Sequence, residues 1–227
     1  MLKFEKTDVF NFENAIRGMR NPMNSWDRMD SEFGEALDDM VIGPNDMDLM
    51  QRLISGGPVH SKYLRQIFVS VDITGPLYWW KEFDTYKVGT TSNSCSTMHK
   101  IHAKEFDLDD FSYEHLSKSQ MDSTELVDTD GNDTNYFVTP KGLLKITIGL
   151  LNNYRKRYLE TKDKKYWWQM IQLLPSSYNQ KRTVTMTYEN LRNMYRWRKN
   201  HKLDEWSVDF MEWIDSLPYA DELIKYQ

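Results

Sequence analysis

The chain has 227 residues, 40% of them hydrophobic and 14% aromatic, enough to close a sizeable core without covalent staples. Its 29 basic residues are outnumbered by 34 acidic ones, a formal net charge of -5, which speaks against a general nucleic-acid binder though not against a local basic pocket. One cysteine, Cys95, excludes an internal disulfide framework and fits a reducing compartment, and no run reaches the roughly 18 apolar residues of a membrane-spanning helix. The opening MLKFEKTDVF lacks the uninterrupted apolar stretch of a secretory signal, so a cytoplasmic location is expected, with no membrane partner.

Lys3 to Phe10 reads as an opening strand and residues 11–20 as a short helix, while 21–43, rich in Met and Asp, show no clear period. Asn45 or Asp46 stands where a helix cap belongs, ahead of Leu49, Met50, Leu53 and Ile54 at helical spacing; Ser55-Gly56-Gly57-Pro58 ends that helix. Ile67, Val69, Val71 and Ile73 alternate with Phe68, Ser70 and Asp72, the pattern of a strand. Gly75-Pro76 then turns the chain into an aromatic helix over Leu77 to Tyr86, in which Tyr78, Trp79 and Trp80 are packing groups.

Residues 105–135 are acidic and read as an exposed loop or insertion. The run from Asp128 to Asp133 is not a calcium loop, because its Gly comes too early and no bidentate Glu follows in place. From Pro140, the positions Leu144, Ile148, Leu151, Tyr154 and Tyr158 define a long amphipathic helix with Arg155, Lys156 and Arg157 on its polar face. A second helix covers Lys165 to Leu173. After a bend at Leu174-Pro175 come a short β run (Thr183 to Met186) and a helix that starts at Thr187 and ends in cations and His201. Trp206, Phe210, Trp213 and Leu217 form a last apolar stripe, stopped by Pro218. With no repeat or linker, residues 1–227 are expected to make a single domain, 105–135 an insertion and 207–227 a helical extension.

Two segments carry candidate chemistry. Tyr86 to His99 holds no acid, offers Ser92, Asn93, Ser94, Ser96 and Thr97 as donors, and has Lys87, His99 and Lys100 beside them; Gly89 allows close backbone approach to a ligand. Such a mix suits a phosphate or a pyrimidine amide edge, or simply a polar loop with capping side chains. Asn190 to His201 carries Arg192, Arg196, Arg198 and Lys199, where one arginine is suited to anchor an anion or a polarised carbonyl, and where cations also complement a helix end. Tyr195 and Trp197 are expected in the core or an interface. The five histidines show no metal-ligand spacing, and Cys95 has no evident base beside it.

In this order, the two segments resemble the flavin-dependent thymidylate synthases. That family has Arg-His-Arg, seven residues, then Ser; here Tyr86-Lys87-Val88, seven residues and Ser96 share the spacing, with Asn93 matching a family Asn and Thr91 standing where Ser is usual. A register one residue earlier, Thr85-Tyr86-Lys87, needs a one-residue insertion. The second block runs from Leu174-Pro175 through Leu191 to Asn193 and Arg198, with His201 and Trp206 following and Thr187 at a position that is usually a flavin-contacting Asn. Ile67 to Glu82 looks like the strand and helix that lead into the family signature. The chain departs from the family at the whole Arg-His-Arg triplet, at Met98 and Ile171 (nucleotide-gripping arginines in the family) and at Ser94 (a Glu).

The resemblance implies an α/β (α+β) fold, a mixed sheet flanked by long helices with the acidic insertion added. It implies a homotetramer that converts dUMP to dTMP with FAD, methylenetetrahydrofolate and NADPH. Arg198 is then the catalytic residue, holding the pyrimidine; Glu82, Ser94 and Ser96 complete the substrate site; and Tyr86, Lys87, Asn93, Thr187, Asn193 and His201 serve the cofactor. The alternative is a non-catalytic nucleotide- or partner-binding protein on the same scaffold, and a structural assembly protein is a further one.

Overall fold

Val69, Val71 and Ile73 are sealed in a core while Phe68, Ser70 and Asp72 stay partly open, and this period of two makes β2 (Phe68–Pro76). In the computed structural model, which describes residues 1–34, 39–128 and 130–226, β2 is an inner strand of a four-stranded sheet. β1 (Lys3–Phe10) pairs antiparallel with β2, Val9 opposite Val69, with a register shift between Glu5 and Asp8 where Lys6 takes a positive φ of 53°. β6 (Asn179–Thr187) extends the short β run read from the sequence at both ends. β3 (Thr91–Ser94) forms the outer edge, antiparallel to β6, with Asn93 opposite Thr183 and Ser94 opposite Arg182. Lys181 on β6 reaches Glu5 at 3.1 Å and Asp72 at 3.2 Å, tying three strands together by charge.

The chain divides into two compact units: residues 1–74, 79–94 and 181–227, and residues 75–78 with 95–180. In the first, α1 (Phe12–Arg20) buries Phe12, Ala15, Ile16 and Met19. α2 (Pro44–Ser55) begins two or three residues earlier than its sequence suggests, with Gly43 in the cap position. Neither Asn45 nor Asp46 caps it: the Asp30 carboxylate does so from outside, accepting the N–H groups of Asn45 and Asp46 at 3.0 Å each. Asp46 is instead fully buried and paired with Arg20, whose Nε donates to it at 2.6 Å. α3 (Leu77–Phe83) ends three residues before Tyr86, and its Trp79, Trp80 and Phe83 are buried. Trp79 meets Trp206 at 4.8 Å, and Trp206 meets Phe210 at 5.0 Å, so the C-terminal stripe, a π-helical turn over Glu205–Phe210 leading into α8 (Met211–Asp215), packs on α3. α7 (Tyr188–Arg198) follows β6 directly, and Tyr188, Leu191 and Met194 face inward. Trp197 is not in the core of this chain: it is 75% exposed.

The second unit is built on α5 (Pro140–Thr161) and α6 (Lys164–Leu173), with α4 (Thr97–Lys100) as a single turn. Thr139 caps α5 through the Gly142 N–H, Pro140 takes the first turn, and Leu144 and Leu151 join Ile101, Phe106, Phe111 and Met170 in a core. The Asn152 carboxamide meets both polar groups of Phe106, its oxygen taking the N–H at 2.9 Å and its nitrogen donating to the C=O at 2.8 Å. The acidic stretch includes an antiparallel hairpin, β4 (Thr124–Val127) and β5 (Asp133–Val138), closed by a turn at Asp128. Among the described residues no helix is long and apolar enough to cross a membrane.

Candidate functional site

Thr187 ends β6 and starts α7 in the same residue. Its hydroxyl accepts the Asn190 N–H at 3.3 Å while the Asn190 side-chain oxygen takes the Thr187 N–H at 3.0 Å, a reciprocal capping box. The other end of the Asn190 amide donates to the Val88 carbonyl at 2.7 Å, which fastens the turn after α3 to the helix start. Gly89, at φ 78°, has its missing Cβ position 2.8 Å from Asn190 Oδ1. The close neighbour that Gly89 admits is therefore the protein's own Asn190, not a ligand. Gly89→Ala is expected to lower folding stability by about 1–3 kcal/mol, read as a shifted denaturation midpoint, through φ strain and crowding of the capping amide.

At the other end of the helix, the last turn of α7 brings Arg198 over the end of α3. Its Nη1 donates to Glu82 Oε2 at 2.6 Å and its Nε to the Tyr86 hydroxyl at 2.8 Å, and the guanidinium lies 5.0 Å from the Trp206 ring centre. His201 Nε2 stands 3.3 Å from the same Glu82 oxygen. The Leu203 N–H donates to His201 Nδ1 at 3.1 Å, which assigns the neutral ring's proton to Nε2, facing Glu82. Arg198 is 17% exposed and Glu82 36%, so a held, oriented guanidinium is presented at a partly open surface.

On the opposite side of α7 a cavity of about 350 Å³ is lined by Pro58, Leu64, Arg65, Val88, Glu189, Arg192, Asn193 and Arg196 among others. Arg65 Nε donates to Glu189 Oε2 at 2.6 Å, which keeps Arg65 firmly charged, while Glu189 Oε1 is buried with no hydrogen-bond partner. Arg192 is spoken for: Nη1 donates to the carbonyls of Leu223 (3.4 Å), Ile224 (3.2 Å) and Tyr226, and burial together with Arg196 holds it below the usual arginine range. Arg196 is exposed at the rim.

Of the residues singled out from sequence, Glu82, Tyr86, Arg198 and His201 form one bonded cluster. Asn193 lines the cavity beside α7 with its side chain exposed. Thr187 spends its hydroxyl on the helix cap. Lys87 borders a separate hollow of about 390 Å³ with Asp84, Thr90 and Ser92, and Asn93 and Ser94 lie exposed on edge strand β3. Ser96 belongs to the second unit, where its hydroxyl accepts the His99 N–H at 2.9 Å. Arg65 and Glu189 escaped the sequence reading because they lie 124 positions apart; only the acid at the start of a helix hinted at Glu189. Among the described residues no cluster of His, Cys, Asp and Glu is placed to hold a metal ion.

No protein-family model matches the chain, and no curated protein matches it in sequence. Solved structures do match in fold. Thymidylate synthase X from Helicobacter pylori, determined with FAD and dUMP, superposes with a TM-score of 0.64 at 17% identity over 99% of this chain and 98% of that one. A second structure of the H. pylori enzyme with FAD and dUMP gives 0.63 at 16% identity, covering 98% of this chain and 99% of that one. A UMP/dUMP methylase, PolB from Streptomyces cacaoi bound with 5-Br UMP, gives 0.57 at 12% identity, over 99% of this chain and 94% of that one. The chain thus has the fold of the flavin-dependent thymidylate synthases.

Proposed function

We propose that the protein is a flavin-dependent methylase of a pyrimidine nucleotide, converting dUMP to dTMP as a homotetramer with methylenetetrahydrofolate as one-carbon donor and NADPH as reductant. The observation that carries this reading is Arg198, held by Glu82 and Tyr86 at a partly open surface, on a fold whose solved examples were determined with dUMP or 5-Br UMP. A guanidinium has five N–H donors, and two of them are engaged here, so the rest are available to a ligand. Arg198 holds the pyrimidine by these and stabilises charge developing on its carbonyl oxygen or ring nitrogen. Glu82, Tyr86 and His201 fix where the fork points.

FAD fits the cavity beside α7 by its donor set. Arg65 and Arg196 bring charge for a pyrophosphate, Asn193 brings an amide, Pro58, Leu64 and Val88 give an apolar wall, and the unpartnered Glu189 Oε1 is an acceptor for a ligand N–H or O–H. Two of the three family triplet positions, Tyr86 and Val88, are not cations, and these arginines replace them from elsewhere in the chain. When bound, the flavin supplies the hydride chemistry, and the chain supplies position and electrostatics.

Purified protein should therefore take up FAD, seen by absorbance and calorimetry, and form dTMP from dUMP when folate and NADPH are added. Arg65→Ala and Arg196→Ala should each weaken flavin about tenfold to a hundredfold. Protein that binds no flavin and makes no dTMP overturns the reading. The non-catalytic alternative is favoured by one observation, the Glu82 carboxylate 2.6 Å from Arg198, which offsets charge the reaction uses. Nucleotide binding without product selects it.

A further inference from the structure

Arg192 stands between two parts of the first unit. On one side it lines the cavity of about 350 Å³ beside α7; on the other its Nη1 donates to the carbonyls of Leu223 at 3.4 Å, Ile224 at 3.2 Å and Tyr226. We infer that an anion in this cavity tightens the segment 218–226 through Arg192, and that the ordered segment in turn raises the affinity for the anion. With FAD as that anion the coupling rests on the flavin reading; with any other pyrophosphate it does not.

The segment needs a clamp at its far end. Its start is anchored by the Tyr188 hydroxyl, which donates to the Pro218 carbonyl at 2.7 Å, and by the Tyr219 hydroxyl, which accepts the Ile42 N–H at 2.9 Å. A π-helical turn over Ala220–Ile224 then buries Ala220, Leu223 and Ile224. A helical turn leaves its last carbonyls without backbone partners, and a cation there also meets the negative end of the dipole. Arg192 supplies that cation. It is 7% exposed, so its charge is costly to keep.

The cavity raises that cost. Arg196 follows one helical turn later and lines the same cavity, and the two like charges repel. Glu189, the one carboxylate lining the cavity among the described residues, pairs with Arg65 at 2.6 Å. Three guanidiniums against one carboxylate leave the cavity short of negative charge. A pyrophosphate beside Arg65 and Arg196 cancels the repulsion, so Arg192 keeps its charge at lower cost and holds the carbonyls more firmly. Such coupling is reciprocal: the factor that the anion adds to closing the segment, the closed segment adds to binding the anion. Arg192 is thus a positioning residue, with Nη1 on the carbonyls, while Arg65 and Arg196 meet the ligand.

The test is hydrogen exchange on the full chain, read at the Leu223 and Lys225 amides, which bond to the Tyr219 and Ala220 carbonyls at 3.0 and 2.8 Å. Saturating FAD and inorganic pyrophosphate should each slow both amides about fivefold or more, and riboflavin, which lacks the phosphates, should leave them unmoved. Arg196→Gln should slow the same amides with no ligand present, because the repulsion is gone. A chain ending at Ile224, confirmed folded by its thermal midpoint, should bind pyrophosphate about fivefold more weakly. Arg192→Lys keeps a charge but not the planar fork, and should lose the ligand-dependent slowing; an arginine with a structural role alone would not make exchange depend on ligand at all. The coupling is refuted if bound ligand leaves both amides unmoved, if Arg196→Gln fails to slow them, or if the shortened chain binds pyrophosphate as tightly as the full one. Should FAD bind with exchange unmoved, the flavin reading stands and the coupling does not. Should pyrophosphate slow exchange while FAD fails to bind, the coupling stands and the flavin reading does not. If neither binds, both fall.

Discussion

Asp46→Ala is expected to remove about 3–5 kcal/mol of folding stability, a large part of the roughly 5–15 kcal/mol that a domain has. Asp46 is fully buried and accepts from Arg20 Nε at 2.6 Å, from the N–H groups of Asp30 and Ser31 at 3.0 Å each, and from the Ser31 hydroxyl at 2.6 Å. Deleting the carboxylate strands all four donors and leaves the Arg20 charge, itself 2% exposed, without its counter-ion. Urea unfolding followed by circular dichroism should show the midpoint falling at unchanged slope. Asp46→Asn keeps the shape and some acceptors, and should lose less. A loss below about 1 kcal/mol would mean that Arg20 finds water when its partner goes. The neighbouring Asp30 adds a pH dependence. Burial opposes its charge, but the N–H groups of Asn45 and Asp46 outweigh that and hold its carboxyl below the usual range. Its folded pKa is depressed, so its contribution is in place above the ordinary aspartate value of about 3.9 and drains as pH falls through the lower folded value.

Arg198→Ala should lower dUMP methylation by about 10²–10³-fold, the range for removing one preorganised donor to developing charge. Its effect on folding should be smaller, under about 2 kcal/mol, because the Glu82 pair is partly solvated and the further losses are one hydrogen bond to the Tyr86 hydroxyl and the cation–ring contact with Trp206. Arg198→Lys keeps the charge but not the planar fork that spans Glu82 and Tyr86, and should stay near the alanine level. Initial-rate assays beside thermal melts separate the two effects. If activity and melting temperature fall together in both variants, Arg198 is a structural strut.

Local patterns were legible and distant partnerships were not. The β2 alternation, the α5 stripe and the Thr187 start of α7 follow from periods and caps that involve neighbours in sequence. The cap of α2 was misassigned because Asp30 supplies it from 15 and 16 positions away. The acidic stretch conceals a hairpin because its apolar residues, Leu126-Val127 and Tyr136-Phe137-Val138, stand side by side and give no alternation to read. For the site, the Arg198 cluster joins two segments the sequence had already marked, whereas Arg192, marked as a cation, proved to be bonded to C-terminal carbonyls that no local pattern announces. Cation-rich helix ends look alike in sequence, and burial decides which of them is free to meet a ligand.

Asn152 sets a chemical condition on the durability of the second unit. Its two-ended grip on Phe106 requires one acceptor and one donor on the same short side chain. Conversion to Asp, by mutation or by slow hydrolysis in storage, replaces the donor with a second lone-pair oxygen facing the Phe106 carbonyl, so ageing at this one amide would pry the segment off the long helix.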